Sequence, residues 1–318
     1  MQCRFVAMLA GLVALLALGS DRMAAGGEND PGLAGDETSP SAAVAKTAAL
    51  KEAGPNVLGL PRGAVSGGGT LMVCGGGNLP EEVYDEFIKL AGGPNSRLVL
   101  IPSAYPWANL EALTYRFSGW LEYPVQSFDF LHASTREEAD SEAFARPLAN
   151  ATGVWISGGA QGRLADLYKG TRVEKQLQQV LERGGVVGGT SAGAAIMSET
   201  MIRHGTSRDA VTDGGFGLLM SAVVDQHFTE RARHTRLLGV LGQNPQKVGL
   251  GVDEQTALII RANHVRVLGQ NRATVIVPDQ NRTMSLHMLA SGEGAEIVRA
   301  RDQADSPLKL LPANLAKK

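Results

Sequence analysis

From residue 70 to residue 189, short apolar runs take turns with stretches whose apolar residues recur at helical spacing, and this alternation limits the chain more than any other feature. The runs are Thr70-Leu71-Met72-Val73-Cys74, Arg97-Leu98-Val99-Leu100-Ile101, residues 125–131, Gly153-Val154-Trp155-Ile156-Ser157 and Gly185-Val186-Val187-Gly188. Between them, Val83, Phe87, Ile88 and Leu90 mark one helical face, and Val173, Leu177, Val180 and Leu181 mark another. Short runs that are apolar throughout suit strands covered on both sides. Strand and helix at this cadence predict an α/β fold on a mainly parallel sheet with helices on both faces. Residues 257–260, 265–268 and 274–277 follow as closely spaced strands and predict an antiparallel extension near the C-terminus.

A length of 318 residues suggests two domains at roughly 150 residues each. The ends of the chain remove one of them. Residues 5–18 form an apolar run behind Arg4; fourteen residues are too few to span a bilayer, which takes about 20, but suit a signal-peptide core. Small residues follow at Ala17, Gly19, Ala24 and Ala25, so residues 1–25 read as a signal peptide and the protein as exported, to periplasm or medium. Residues 26–69, rich in Ala, Gly, Pro, Ser and Thr, read as a low-complexity linker, and residues 301–318 as a peripheral tail. One domain over residues 70–300 remains. A net charge of −2 and a pI near 6.3 point away from nucleic acid and from stable membrane association. Cys74 is the single cysteine beyond the leader, so no intrachain disulfide is expected, and its apolar setting reads as a buried thiol.

Glycine is abundant, 39 residues in all, and three clusters stand at strand ends: Gly75 to Gly77, Gly158 with Gly159, and Gly188 with Gly189. In an open α/β sheet the carboxyl edge of the strands is where ligands bind. Gly75-Gly76-Gly77-Asn78-Leu79-Pro80 lacks the third glycine of a dinucleotide fingerprint, and residues 184–191 lack the lysine of a phosphate-binding loop, so neither nucleotide reading holds.

Gly189-Thr190-Ser191-Ala192-Gly193 is a G-x-S-x-G between a short strand and a helix-like stretch. Such a turn lifts a serine hydroxyl clear of the sheet and points the next N–H, that of Ala192, at an oxyanion. A serine nucleophile needs a base, and the base an orienting acid. Among six histidines His227 is singled out, because it follows the run Val223-Val224-Asp225-Gln226 at a strand end. Gly251-Val252-Asp253-Glu254 ends another strand with two carboxylates, and spacing does not choose between them. No histidine pair has compact metal-ligand spacing, and no metal or organic cofactor is called for. Arg231, Arg233 and Arg236 follow His227 within a few residues. On a helix over residues 230–241 the spacing puts Arg233 inside the apolar arc and Arg231 and Arg236 at its polar flanks. The three read as a clamp for carboxylates, which the planar guanidinium pairs bidentately.

These residues resemble the serine peptidase family that contains cyanophycinase and the aspartyl dipeptidase peptidase E. The most specific stretch is Asp225-Gln226-His227-Phe228-x-x-Arg231-x-Arg233-x-x-Arg236, which is similar to cyanophycinases; residues 188–195, Gly251-Val252-Asp253-Glu254-x-Thr256-Ala257 and Gly158-Gly159-Ala160-Gln161 match further signatures. The chain departs from the family pattern at Ala160 and at residues 77–80. The resemblance implies a flavodoxin-like sheet of the class I glutamine-amidotransferase type. It implies Ser191 as nucleophile, His227 as base and Glu254 as the orienting acid, with Gly159 and Ala192 supplying oxyanion N–H groups. Gln161, Asp225, Gln226, Arg231, Arg233 and Arg236 would line the substrate pocket. The implied activity is hydrolysis of cyanophycin, a peptide polymer of aspartate with arginine on each β-carboxylate, to β-aspartyl-arginine dipeptides through an acyl-enzyme, by a chain free to form a homodimer. An α-aspartyl dipeptidase and a non-catalytic exported binding protein are the alternatives.

Overall fold

The computed structural model describes residues 57–60, 68–106, 117–278, 283–299 and 308–312; the expected signal peptide and most of the expected linker lie outside them. The expected α/β architecture is present. Five strands, β1 (Thr70–Cys74), β2 (Arg97–Ile101), β3 (Ser127–Phe130), β4 (Gly153–Ile156) and β5 (Val186–Thr190), run parallel in the order β1-β5-β4-β2-β3. A hairpin of β6 (Thr200–Gly205) and β7 (Ala210–Gly214) follows, and then β8 (Ala222–Gln226) and β9 (Val248–Val252), which pair in parallel. β10 (Thr256–Arg261) returns antiparallel to the free side of β1, with β11 (His264–Gly269) beside it, so the large sheet continues past its first strand.

Two late segments depart from expectation. Residues 274–277 belong to β12 (Arg272–Pro278), which joins β9 and β13 (Met284–Ala290) in a separate four-stranded sheet, order β13-β12-β9-β8, and not the antiparallel extension. The fully apolar face of β12, with Ala273, Val275 and Val277 buried, fits either sheet, so pattern alone could not assign it. The extension is completed by β14 (Gly294–Arg299) and β15 (Leu308–Pro312), an edge strand contributed by the expected peripheral tail. At the other end, Val57, Leu58 and Leu60 are buried in the core, and the Ser221 N–H donates to Leu58 O, so packed structure begins before residue 70.

The helix Glu81–Ala91 carries two acids in its first turn and closes on Gly92 in the left-handed region, φ 115°. Its buried Val83, Phe87, Ile88 and Ala91 cover one face of the large sheet with Trp155 and Leu100. The helices Gln161–Tyr168 and Arg172–Glu182 cover the opposite face, the latter through Val173, Leu177, Val180 and Leu181 as the spacing predicted. The short helix Ala192–Ala195 after β5 packs on that same opposite face, so the chain leaves β1 toward one face and leaves β5 toward the other. That divergence between neighbouring parallel strands opens the crevice at the carboxyl edge where α/β proteins bind ligands.

Candidate active site

Ser191 sits at the end of β5 with φ 53° and ψ −111°, a conformation costly for a side chain with a Cβ. The turn is held on all sides. The Ser191 N–H donates to Cys74 O on β1 at 3.0 Å, and Ser191 O accepts from the N–H groups of Ala194 and Ala195. The flanking glycines are required by space: a Cβ on Gly193 would stand 2.1 Å from Ile156 O, and one on Gly189 2.5 Å from Gly193 O. Cys74 contributes its carbonyl and nothing more, since burial raises its thiol pKa far above the ordinary value.

His227 also has positive φ, 47°, and its N–H donates to Gly75 O at 2.8 Å. The Ser191 hydroxyl lies 2.8 Å from His227 Nε2, and His227 Nδ1 lies 2.5 Å from Glu254 Oε1. With a carboxylate at Nδ1 the ring proton belongs there, which leaves Nε2 free to accept from Ser191. Burial, the largest influence, lowers the imidazole pKa below the ordinary histidine value. The Glu254 hydrogen bond opposes it, and the nearby charges of Arg231 and Arg233 add to it. The resting imidazole is therefore neutral and ready to take a proton.

The choice between Asp253 and Glu254, open on spacing, is made by geometry. Asp253 is 7% exposed, and its Oδ1 accepts from both the N–H and the hydroxyl of Thr229, closing the turn after His227. Glu254 extends the other way to the imidazole, while its N–H donates to Glu230 Oε1 and its carbonyl accepts from Asn271 Nδ2. Thr229, Glu230 and Asn271 were not among the sequence candidates, because a polar residue in a loop announces no partner before the fold supplies one.

The triple glycine also acquires a specific purpose. A Cβ on Gly76 (φ 108°) would lie 2.2 Å from His227 Cε1, one on Gly77 (φ 71°) 2.9 Å from Glu254 Oε2, and one on Gly75 2.0 Å from Asp253 O. Gly76 O accepts the Gln255 N–H at 2.8 Å. The loop after β1 is thus a bare backbone bed for the imidazole and its carboxylate.

The expected arginine clamp divides into three different residues. The helix begins at His234, after a turn, and not at residue 230, so the projected faces shift. Arg236 points inward: it is 3% exposed and holds the fully buried Asp225 carboxylate through Nε at 2.7 Å and through Nη2. Asp225 and Arg236 therefore occupy each other inside the protein and are not side chains lining an open pocket. Arg233 is half-buried, donates to Gln226 O at 2.5 Å and stands 3.5 Å from Asp225 Oδ1. Burial and the neighbouring Arg236 lower its pKa to about 10, so it stays charged at neutral pH. Arg231 is exposed.

Gln161 opens the helix Gln161–Tyr168, and its Nε2 donates to Ile202 O. Gly159 has φ 139°, and a Cβ there would meet Ala104 O at 2.7 Å. The N–H groups of Gly159 and Ala192 donate to no backbone acceptor among the described residues. Among the described residues two buried side-chain oxygens, Gln226 Oε1 and Thr190 Oγ1, have no hydrogen-bond partner, and they belong to the residues just before His227 and Ser191. Gln226 is 4% exposed, so like Asp225 its side chain lies inside the protein and does not line an open pocket.

The chain matches the model of peptidase family S51 over residues 71–268. It is 32% identical to a cyanophycinase of Synechococcus elongatus over 252 residues, covering 71% of this chain and 78% of that protein. It is 30% identical to a cyanophycinase of Geminocystis herdmanii, covering 62% and 75%. Among solved structures, a peptidase from an acI-B1 Actinobacterium superimposes with a TM-score of 0.57 at 22% identity, covering 72% of this chain and 97% of that one, a likeness of fold. With a family match over most of the described residues and relatives at this identity, the chain belongs to peptidase family S51 and is a serine-type peptidase.

Proposed function

We propose that the protein is a cyanophycinase-type exopeptidase whose nucleophile is Ser191. The observation that carries this reading is the continuous chain from Ser191 Oγ through His227 to Glu254, with one proton acceptor facing the hydroxyl and one carboxylate behind it. Ser191 attacks a main-chain carbonyl of the substrate while His227 Nε2 takes its proton. Glu254 holds the ring's orientation and stabilises the imidazolium that forms. The N–H groups of Ala192 and Gly159 receive the negative charge on the carbonyl oxygen. His227 then returns its proton to the leaving amine, and a water deprotonated by the same nitrogen releases the acyl group.

The substrate reading rests on the cyanophycinase relatives and on the charge around the site. Arg231 and Arg233 stand beside His227, a setting that attracts the carboxylates of an aspartate polymer. The apolar run over residues 5–18 supports export of the enzyme, which N-terminal sequencing of the secreted form checks. Incubation of the purified protein with insoluble cyanophycin should clear the suspension and release β-aspartyl-arginine. Intact polymer after incubation with folded wild-type protein defeats the substrate assignment.

A further inference from the structure

A cavity of about 530 Å³ opens beside the first turn of the helix Glu81–Ala91 and takes no part in the chemistry above. Leu79, Glu81, Tyr84, Trp120, Glu122 and Tyr123 line it. Its aromatic wall is rigid: Trp120 meets Tyr84 edge to face at 5.1 Å between ring centroids and packs on Trp155 at 4.9 Å, and the Tyr123 hydroxyl donates to Asp85 at 2.9 Å. Burial, the Asp85 bond and then the charges of Asp85 and Glu81 raise the Tyr123 pKa, which records a negative field at this wall. Among the described residues no lysine or arginine lines the cavity, and Glu81 and Glu122 have no ion-pair partner. The other side of the same helix differs, because there Glu86 is paired with both Lys89 and Arg266.

The cavity also adjoins the site. Leu79 lies two residues beyond Gly77, at most about 7 Å along the chain, and Gly77 packs against Glu254. Gly77 and Asn78, which precede Leu79, are exposed. On this face of the sheet Gly188 packs against Trp155, and Thr190, two residues further along β5, brings its unpartnered Oγ1 to the residue before Ser191.

We propose that this cavity is a guanidinium subsite that receives an arginyl side chain of the substrate, with the aromatic wall against the guanidinium plane and the Glu81 and Glu122 carboxylates accepting its N–H donors. A guanidinium is planar and weakly hydrated, so it gains from aromatic faces and paired carboxylates together, where a compact ammonium keeps its water. The name of the substrate rests on the function proposed above; the chemistry of the cavity does not.

The test has two parts. Ethylguanidinium is titrated into the Ser191→Ala protein while tryptophan fluorescence is followed, with Trp120 in the cavity wall as reporter. A saturable change is expected, on the order of tenfold weaker for ethylammonium and abolished in Ser191→Ala carrying Glu81→Gln and Glu122→Gln. In parallel, active enzyme is compared on β-aspartyl oligomers bearing arginine or its neutral isostere citrulline. The ratio of kcat/KM values should favour arginine by about tenfold or more and fall toward one in the Glu81→Gln/Glu122→Gln enzyme. No saturable guanidinium signal, or a ratio that the double substitution leaves in place, overturns the subsite. Saturable guanidinium binding by a protein that cleaves neither oligomer supports the subsite and overturns the substrate reading instead.

Discussion

The carboxyl ends of the two sheets deliver their halves of the triad by different means. β5 of the nine-stranded sheet presents Ser191 through backbone geometry: a strained turn, three backbone hydrogen bonds and glycines whose neighbours leave no room for a Cβ. The adjacent strands β8 and β9 of the four-stranded sheet present His227 and Glu254 through side chains. Arg236 grips Asp225, Arg233 holds Gln226 O, and Asp253 ties down Thr229. A nucleophile has only to be in place, and backbone suffices for that. A base must also be oriented and kept neutral, which calls for hydrogen-bond partners, burial and charge. The glycine loop after β1 is where the two halves meet, accepting the His227 N–H at Gly75 and lying under its ring at Gly76.

The sharpest break between the halves is Ser191→Ala, which removes the chemistry and leaves the turn. A loss of about 10⁴-fold or more in kcat/KM is expected, with unfolding by denaturant unchanged within about 0.5 kcal/mol. Asp225→Ala tests the other half through stability. It strands the buried Arg236 guanidinium and should cost about 3–5 kcal/mol in urea unfolding; a cost below about 1 kcal/mol refutes the view that side-chain pairing holds this sheet's site end.

Gly76→Ala attacks the meeting point. With φ 108° and His227 Cε1 2.2 Å from the new Cβ, the ring must move, and kcat should fall about 10²-fold. Gly239→Ala, on the exposed side of the helix His234–Gln243 with nothing near its Cβ, is the control and should stabilise by about 0.5–1 kcal/mol. The smallest effect concerns charge. Arg231 lowers the His227 pKa, so Arg231→Gln should move the acidic limb of the kcat/KM profile upward by a few tenths of a pH unit. The sign follows from the base: neutral imidazole is the active form, and its folded pKa lies below the ordinary value near 6.5. Folded His227 binds its proton less readily than unfolded His227. Its contribution to stability is thus complete above the unfolded pKa and declines as pH falls from there toward the folded pKa. A limb that moves down, or not at all, removes Arg231 from the tuning of this base.

Much of this was legible in the chain. The elbow was visible because a serine flanked by glycines, between an apolar strand and a helix, marks a turn too sharp for neighbouring side chains. Four of the five parallel strands were visible because a strand covered on both faces is apolar almost throughout, whereas β3, Ser-Phe-Asp-Phe at the sheet edge, is only partly buried. The second sheet was hidden for the same reason, since β12 is as apolar as β10 and nothing local says which neighbour it joins. The arginines were visible as residues but not in their roles. A helix start displaced from residue 230 to His234 changed which of them faces inward, and periodicity carries no information on where a turn gives way to a helix.

The sequence by itself determined the layered α/β architecture, the position of Ser191 at a sharp strand end and the candidates for base and acid. These follow from local pattern, which covalent geometry and burial impose residue by residue. Residue spacing left Asp253 and Glu254 open and the family resemblance implied Glu254, which the structure places on the imidazole. Only the tertiary structure decided that Arg236 is committed to Asp225 and that Gly76 makes room for His227. Each of these depends on which side chains, distant in sequence, share a few ångströms of space, and a hydrogen bond or a steric contact is set by that distance alone.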